Sequence, residues 1–394
     1  MNRGKKQSYE GVALVAPTSF GYTRQSEKSA NWFVGQILAE MLKATGLDKS
    51  EVDGLAVTSI TLAPDSAITL TQNFGMTVRW LEQISIGGAS GIAAMQRGAR
   101  AIQAGDANVI ACIGADTSIK GGFVKLISNF SRSTVDASYP YGAGGPNMPF
   151  SLITQRYMDT YGATREDFGQ IAVSQRYNAQ HYSQALLGHK PLSMEDYLAA
   201  RPVAGPLHLF DCVMPCAGAE GSLMMSIDRA KTLGRPYCTI GAIGELHNAF
   251  PDDPVQLRGG WAQYQDDLYN NASLTPQDID LVETYDDYPV ISMLQLEGLG
   301  FCAEGEAAKF VSKTALTFDG GGLPHNTSGG QLSVGQAGFA GGYLGLVEAA
   351  RQLTYKTLKN QVPNARQAMV SGYGMINYDR GLCSAAAILG RPSA

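Results

Sequence analysis

Residues 44–57, ATGLDKSEVDGLAV, return later in the chain as residues 271–284, NASLTPQDIDLVET. Both stretches run leucine, polar turn, acid, β-branched residue, aspartate and then an apolar strand. Leu47 matches Leu274, and Val52-Asp53 matches Ile279-Asp280. Each stretch follows a helical segment, and each is followed by a second shared unit. In the first half that unit is GGASGIAAMQRGARAIQAGDANVIACIGAD, starting at Gly87: a glycine turn, a helix and a buried strand. In the second half SGGQLSVGQAGFAGGYLGLVEAARQL, starting at Ser328, and then ARQAMVSGYGM repeat that order. Two βαβ-rich halves with corresponding glycine turns predict two sheets packed around a shared pair of central helices, with both turns facing one cleft.

From Gly320 to Gly342 the chain reads GGGLPHNTSGGQLSVGQAGFAGG and passes directly into the apolar-periodic helix YLGLVEAARQL. Glycine permits positive φ and lets main chain approach another surface with no Cβ in the way. Such a loop before a helix N-terminus offers free N–H donors to a carbonyl oxygen, an oxyanion or a phosphate. Tight packing of two helices against a sheet asks for the same composition, so both readings stand. Residues 117–206, rich at first in Tyr, Ser, Asn and Gly and helical afterwards, fit a lid or ligand-binding subdomain. They fit a dimer-contact insertion equally well.

Composition narrows the function. With 394 residues, 44% of them hydrophobic and 16% charged, the chain buries a large core and is not disordered. A net charge of −5 and a pI near 5.6 give no field for nucleic acid or an anionic membrane. No apolar run reaches the length of a membrane span. The apolar stretch near the N-terminus is only strand-long, so no signal peptide is expected and the protein reads as cytoplasmic. Cys112, Cys212, Cys216, Cys238, Cys302 and Cys383 lack C-x-x-C spacing and the five histidines are dispersed, which predicts neither a metal site nor a disulfide framework.

The duplicated halves, the ASG helix turn, the strand VIACIGADTS, the strand end VETYDDYP and the Gly320–Gly342 block together carry a resemblance. The chain resembles the thiolase superfamily, more narrowly its sterol carrier protein x thiolase and lipid-transfer-protein-like branch, over nearly its whole length. The resemblance implies an α/β protein with the five-layer αβαβα fold, built from two duplicated βαβ-rich halves with an inserted loop subdomain. On that plan residues 1–116 plus 207–245 form the N-terminal half, 117–206 the inserted lid and 246–394 the C-terminal half. It also implies a homodimer, coenzyme A thioesters as substrates with no bound cofactor, and a small zinc-ribbon/OB-fold partner completing a heterotetramer.

The departures are chemical. A thiolase carries its nucleophilic cysteine in a C-x-S-G turn, where a helix N-terminus lowers the thiol pKa; here the turn reads Gly88-Ala89-Ser90-Gly91. The activating histidine of G-H-P is replaced by Gln336, within Gly335-Gln336-Ala337, and the second cysteine loop reads Ser371-Gly372-Tyr373-Gly374-Met375. Acyl transfer through a cysteine is therefore not expected. In the lipid-transfer-like aldolases a tyrosine-aspartate pair stands at one strand end, and this chain has Tyr285-Asp286-Asp287-Tyr288 there. Those enzymes cleave the Cα–Cβ bond of a β-hydroxyacyl-CoA.

The resemblance thus implies Tyr285 as base or proton relay, with Asp286 setting its hydrogen bond and a neighbour lowering the phenol from its ordinary pKa of about 10. Backbone N–H groups of Gly87–Gly91 and the Gln336 amide are the expected enolate stabilisers, and Tyr373 or Tyr343 its proton donor. Gly87, Gly88, Ser90, His325, Asn326, Gly329, Gly330, Tyr343 and His247 complete the expected substrate site, with Ser90 capping the following helix. Three functions fit: retro-aldol cleavage first, then acyl transfer by a non-cysteine route or with a partner, then a non-catalytic acyl-CoA-binding scaffold.

Overall fold

The computed structural model describes residues 7–129 and 131–392. Residues 1–6, the basic start of the segment read for a signal peptide, lie outside the described residues. The first half contains strands β1 (Val12–Thr23), β2 (Gly54–Thr58), β3 (Trp80–Gln83) and β4 (Val109–Asp116), with helices α1 (Ala30–Thr45), α2 (Ala67–Phe74) and α3 (Ser90–Ala104). A long excursion follows. It holds α4 (Gly122–Ser128), α5 (Asn147–Tyr161), α6 (Arg165–Ala179), α7 (Met194–Leu198) and the small hairpin β5 (Pro202–Ala204)/β6 (Leu207–His208). Strand β7 (Ala217–Ser226) returns beside β4, and α8 (Ile227–Thr232) leads on. The second half contains β8 (Tyr237–His247), α9 (Trp261–Ala272), β9 (Leu281–Glu283), α10 (Pro289–Gly298), α11 (Ala307–Lys313), α12 (Gly330–Val334), α13 (Gly341–Thr354), β10 (Gln367–Asn377) and β11 (Arg380–Gly390).

The duplication has a physical basis in both copies. Helix α1 starts at Ser29, whose side chain accepts from Trp32 N, and stops at Gly46 in the left-handed conformation. Its counterpart α9 stops at Ser273, also left-handed. Asp53 Oδ1 then accepts from the backbone N–H groups of Asn108 (2.8 Å) and Val109 (2.9 Å), fixing the start of β4. In the same way Asp280 Oδ2 accepts from Arg366 N (2.7 Å) and Gln367 N (2.8 Å) at the start of β10. The repeated aspartate thus sets strand register once in each half.

Instead of two separate sheets, nine of the strands form one mixed sheet in the order β3-β2-β4-β7-β1-β8-β11-β10-β9. The join is a short antiparallel pairing of β1 with β8 at Ala13↔Thr239, Leu14↔Cys238 and Val15↔Tyr237. The two wings on either side of this join both contact α3 and α13, which fill the middle layer. Helix α1 covers the outer face of the first wing, and α9, α10, α5 and α6 pack outside the second. This gives the five layers expected. Where the first wing has β3, the second has only a single parallel bridge, Val282↔His325.

The helix layer is packed between the two wings of the sheet, and small side chains let α3 and α13 come close to each other. Ala93, Ala94, Ala99, Ala349 and Ala350 are fully buried there. The helices meet main chain to main chain where Gly91 faces Gly342: a Cβ at Gly91 would overlap the Gly342 carbonyl oxygen. Among the described residues no helix is long and apolar enough to cross a membrane. Gly91→Ala is expected to lower stability by about 1–3 kcal/mol or more, because main chain rather than a flexible side chain must move. Thermal unfolding of the variant against the parent measures this.

Candidate active site

Beyond the end of β9 the chain runs on through Thr284–Asp286 and bends at Asp287 and Tyr288 before Pro289 opens α10. Tyr285 and Asp287 meet on one side, where the phenol bonds the carboxylate, while Thr284 turns to His325 and Asp286 to the backbone of Gln331 and Leu332. The Tyr285 backbone is locked by the buried Gln295 of α10. Its Oε1 accepts from Tyr285 N (3.1 Å), and its Nε2 donates to Tyr285 O (2.6 Å). Ser371 of β10 in turn donates to Gln295 Oε1 at 2.6 Å.

On the Tyr285 side three polar groups close on one another. The Tyr285 phenol donates to Asp287 Oδ2 (3.0 Å), and Gln336 Nε2 donates both to the phenol oxygen (3.1 Å) and to Asp287 Oδ1 (2.7 Å). Gln336 is anchored by main chain, its N–H donating to Met214 O and its C=O accepting from Cys216 N, both at 2.9 Å. Asp287, not Asp286, therefore sets the hydrogen bond of Tyr285. Gln336 commits its amide N–H groups to this pair rather than to an enolate.

These groups line a cavity of about 80 Å³ together with Gly87, Gly88, Tyr288, Tyr373 and Phe150. It continues through Ile60, Leu126, Gln336 and Gly338 into a cleft of about 560 Å³. Gly88, at the position of the thiolase nucleophile, closes one side. A Cβ there would overlap the Tyr285 ring. The aromatic ring thus fills the volume that a side chain at residue 88 would need. The excursion between β4 and β7 supplies Leu126, Pro146 and Phe150 to the wall, and Phe150 stacks on Tyr288 at 4.1 Å between ring centroids.

Burial governs the electrostatics. It holds the Tyr285 phenol well above its ordinary pKa, and the Asp287 charge pushes in the same direction. The lowered phenol expected from the sequence is not found: burial first and the anionic Asp287 second both hold it up. Burial also raises Asp287 to about 8, against the hydrogen bond from Tyr285 and with a contribution from the Asp286 charge. Asp286 is raised by burial to about 6, its carboxylate accepting from the backbone N–H groups of Gln331 (2.9 Å) and Leu332 (3.2 Å).

The other expected site residues separate into groups. Gly330 (φ +58°) leaves space for Asp286 Oδ2, and with Gly88 and Asn326 it lines a small polar cavity behind Tyr285. Asn326 Oδ1 accepts from Thr284 N at 2.7 Å, and Gly329 lies against Ala179 and Gln175 of α6. His325 is fully buried with Nε2 2.8 Å from Thr284 Oγ1; burial lowers it to about 3, so it is a neutral structural group. Ser90 does not cap α3. It is the first helical residue, and its hydroxyl accepts from Ile86 N at 3.1 Å.

Neither expected proton donor presents a hydroxyl to the cavity. The Tyr373 ring forms part of the wall, but its hydroxyl donates to Gln256 Oε1 at 2.5 Å. Tyr343 is buried between α13 and the first wing, 3.1 Å from Thr58 Oγ1. His247 stands exposed at the end of β8, where its Nε2 lies 2.9 Å from Glu245 Oε1. The sequence reading did not assign roles to Asp287, Gln295, Tyr288 and Gln256. For Asp287 the signal was its place two residues beyond Tyr285.

Comparison with known proteins places the chain in a family. Residues 252–391 match the family model described as thiolase C-terminal domain-like. The chain is 30% identical to a steroid side-chain-cleaving aldolase of Thermomonospora curvata over 91% of this chain and 94% of that one. It is also 30% identical to a 17-hydroxy-3-oxo-4-pregnene-20-carboxyl-CoA lyase of Mycobacterium tuberculosis, over 91% and 95% of the two chains. The solved Ltp2-ChsH2(DUF35) aldolase superposes with a TM-score of 0.82 at 27% identity, covering 98% of this chain and 99% of that one. With a thiolase-type layered fold whose nucleophile position is glycine and is overlain by a tyrosine, the chain belongs to the thiolase superfamily, in its sterol carrier protein x and lipid-transfer-like aldolase branch.

Proposed function

We propose that the protein cleaves the Cα–Cβ bond of a β-hydroxyacyl-CoA thioester by a retro-aldol reaction. The observation that carries this is the Tyr285 ring lying over Gly88: a hydroxyl-bearing proton carrier stands where cysteine chemistry would need its nucleophile. A substrate β-hydroxyl placed against Tyr285 gives up its proton as the Cβ–O bond becomes a carbonyl. The Cα–Cβ electron pair moves into the thioester, and a ketone or aldehyde leaves. The backbone turn at Gly87–Ala89, opening the fifteen-residue helix α3, faces the cavity and favours the developing enolate oxygen. Protonation of Cα then releases the shortened acyl-CoA.

A bulky acyl chain belongs to the same proposal. Ile60, Ala63, Ile119, Leu126 and Pro215 give the adjoining cleft an apolar lining, and the two curated relatives are named for steroid and pregnene substrates. We also assign a homodimer and, at the cleft mouth, a small partner of the DUF35 kind named in the solved aldolase complex. Exposed Ile119 and Val124 beside the cleft, with Tyr139 and Tyr141 also exposed in the same excursion, support a covering partner. Cytoplasmic residence rests on the composition read above.

Incubation with β-hydroxyacyl-CoA and β-ketoacyl-CoA esters, with and without the small partner, is expected to yield a ketone or aldehyde plus shortened acyl-CoA from the hydroxy esters alone. Mass spectrometry reads the products, and Tyr285→Phe is expected to lose about 100-fold or more in rate. CoA-dependent thiolysis of the keto esters would instead establish an acyltransferase, and binding without turnover a scaffold. Gly88→Ala is expected to lower the melting temperature, and the pair Gly88→Ala with Tyr285→Ala to recover much of that loss. A double-mutant cycle by thermal unfolding measures this coupling.

A further inference from the structure

We propose that Asp287 is the proton store of the reaction and that Tyr285 is the relay carrying the proton between substrate and Asp287. This rests on the retro-aldol reading and adds a positioning residue to it. The Tyr285 phenol donates to one oxygen of Asp287 and the Gln336 amide donates to the other, so the carboxylate is held in one orientation at the cavity wall. Asp286 beside it faces away and is engaged by the N–H groups of Gln331 and Leu332. Tyr285 and Tyr288 from the same segment and Tyr373 from β10 are the other titratable groups among the described residues of the lining, which include no lysine, arginine or histidine. With no cation to neutralise it, Asp287 accepts a proton readily, and burial moves its titration to about 8.

The step balances within these groups. The β-hydroxyl proton passes to the Tyr285 oxygen as the Tyr285 proton passes to Asp287 Oδ2, making a carboxylic acid. The Cα–Cβ bond breaks, the new carbonyl forms, and its partner fragment becomes the enolate. Tyr285 then donates to Cα and is reprotonated by Asp287, so the carboxylate is regenerated and no outside acid is consumed. This assigns the protonation of Cα without the hydroxyls of Tyr373 or Tyr343, which are turned to Gln256 and Thr58.

Only ionised Asp287 accepts a proton, so kcat is expected to rise with pH through its titration and then level. The experiment is the pH profile of kcat for the full chain with its small partner, on a β-hydroxyacyl-CoA ester that the wild type cleaves, for the wild type and three variants. Asp287→Asn is expected to lose the acid limb and about 100-fold or more in kcat, with Kd for a non-cleavable acyl-CoA within about threefold of wild type on the same reasoning that binding groups are untouched. Asp286→Asn removes a like charge and is expected to move the acid limb to lower pH. Gln336→Leu removes a donor that favours the carboxylate and is expected to move it to higher pH. These opposite shifts decide the matter even if Asp287→Asn fails to fold, since a structural role for Asp287 would lower the rate at every pH and leave the limb in place. An acid limb unchanged in Asp287→Asn, or unmoved in both other variants, overturns the proposal and leaves retro-aldol cleavage intact. No cleavage of any hydroxy ester by the wild type overturns both.

Discussion

The Gly87–Ala89 turn is enclosed by main chain, and the rest of the molecule is arranged around that constraint. A Cβ at Gly342 would come within 2.9 Å of Gly88 C, one at Gly372 within 2.7 Å of Gly88 O, and one at Gly374 within 2.8 Å of Gly88 N. At Gly88, helix α13 and strand β10 therefore meet the turn main chain to main chain, and the Tyr285 ring lies against its open side. Close packing of backbone on backbone tolerates little displacement, so the phenol is positioned by the fold itself. Glycine in this protein serves packing and shapes the cavity at once. The two readings of the glycine block were never alternatives: Gly342 packs, Gly338 lines the cavity, and Gly330 makes room for a carboxylate.

Around this rigid centre the polar groups are sorted by face. Asp286 and Asp287 are adjacent, both buried and both acidic, yet their environments differ in kind. Asp286 is satisfied by main-chain N–H groups, which favour its ionised form. Asp287 is bonded only through side chains, one of them a phenol able to return the proton. Two neighbouring carboxylates thus take different parts, one held by main chain and one facing the cavity, because their side chains leave the chain on opposite sides.

The architecture was legible in the sequence because its duplicated residues have duplicated tasks. Asp53 and Asp280 each hold the first N–H groups of a strand, and Gly46 and Ser273 each end a helix in the left-handed conformation. Local geometry of this kind leaves a pattern that one chain can show twice. The single continuous sheet was not legible, since the β1–β8 join depends on which edge strands meet in space. In the site, Tyr285 stood out by type and place. The choice between Asp286 and Asp287 turned on the course of the chain beyond the last ladder residue, where it bends before α10. The orientation of Gln336 depended on Met214 and Cys216, more than a hundred residues away in sequence.

The fit of the Tyr285 ring over Gly88 also orders the steps by which such a site can arise. Starting from a chain with a side chain at 88, a tyrosine introduced first at 285 meets that side chain and is expelled from the seam. Glycine introduced first at 88 leaves only a void, which costs some stability but keeps the layers in place. Steric exclusion therefore makes surrender of the nucleophile the opening move and arrival of the phenol the reply. The reverse journey meets the same gate, so restoring a cysteine alone does not lead back to acyl transfer.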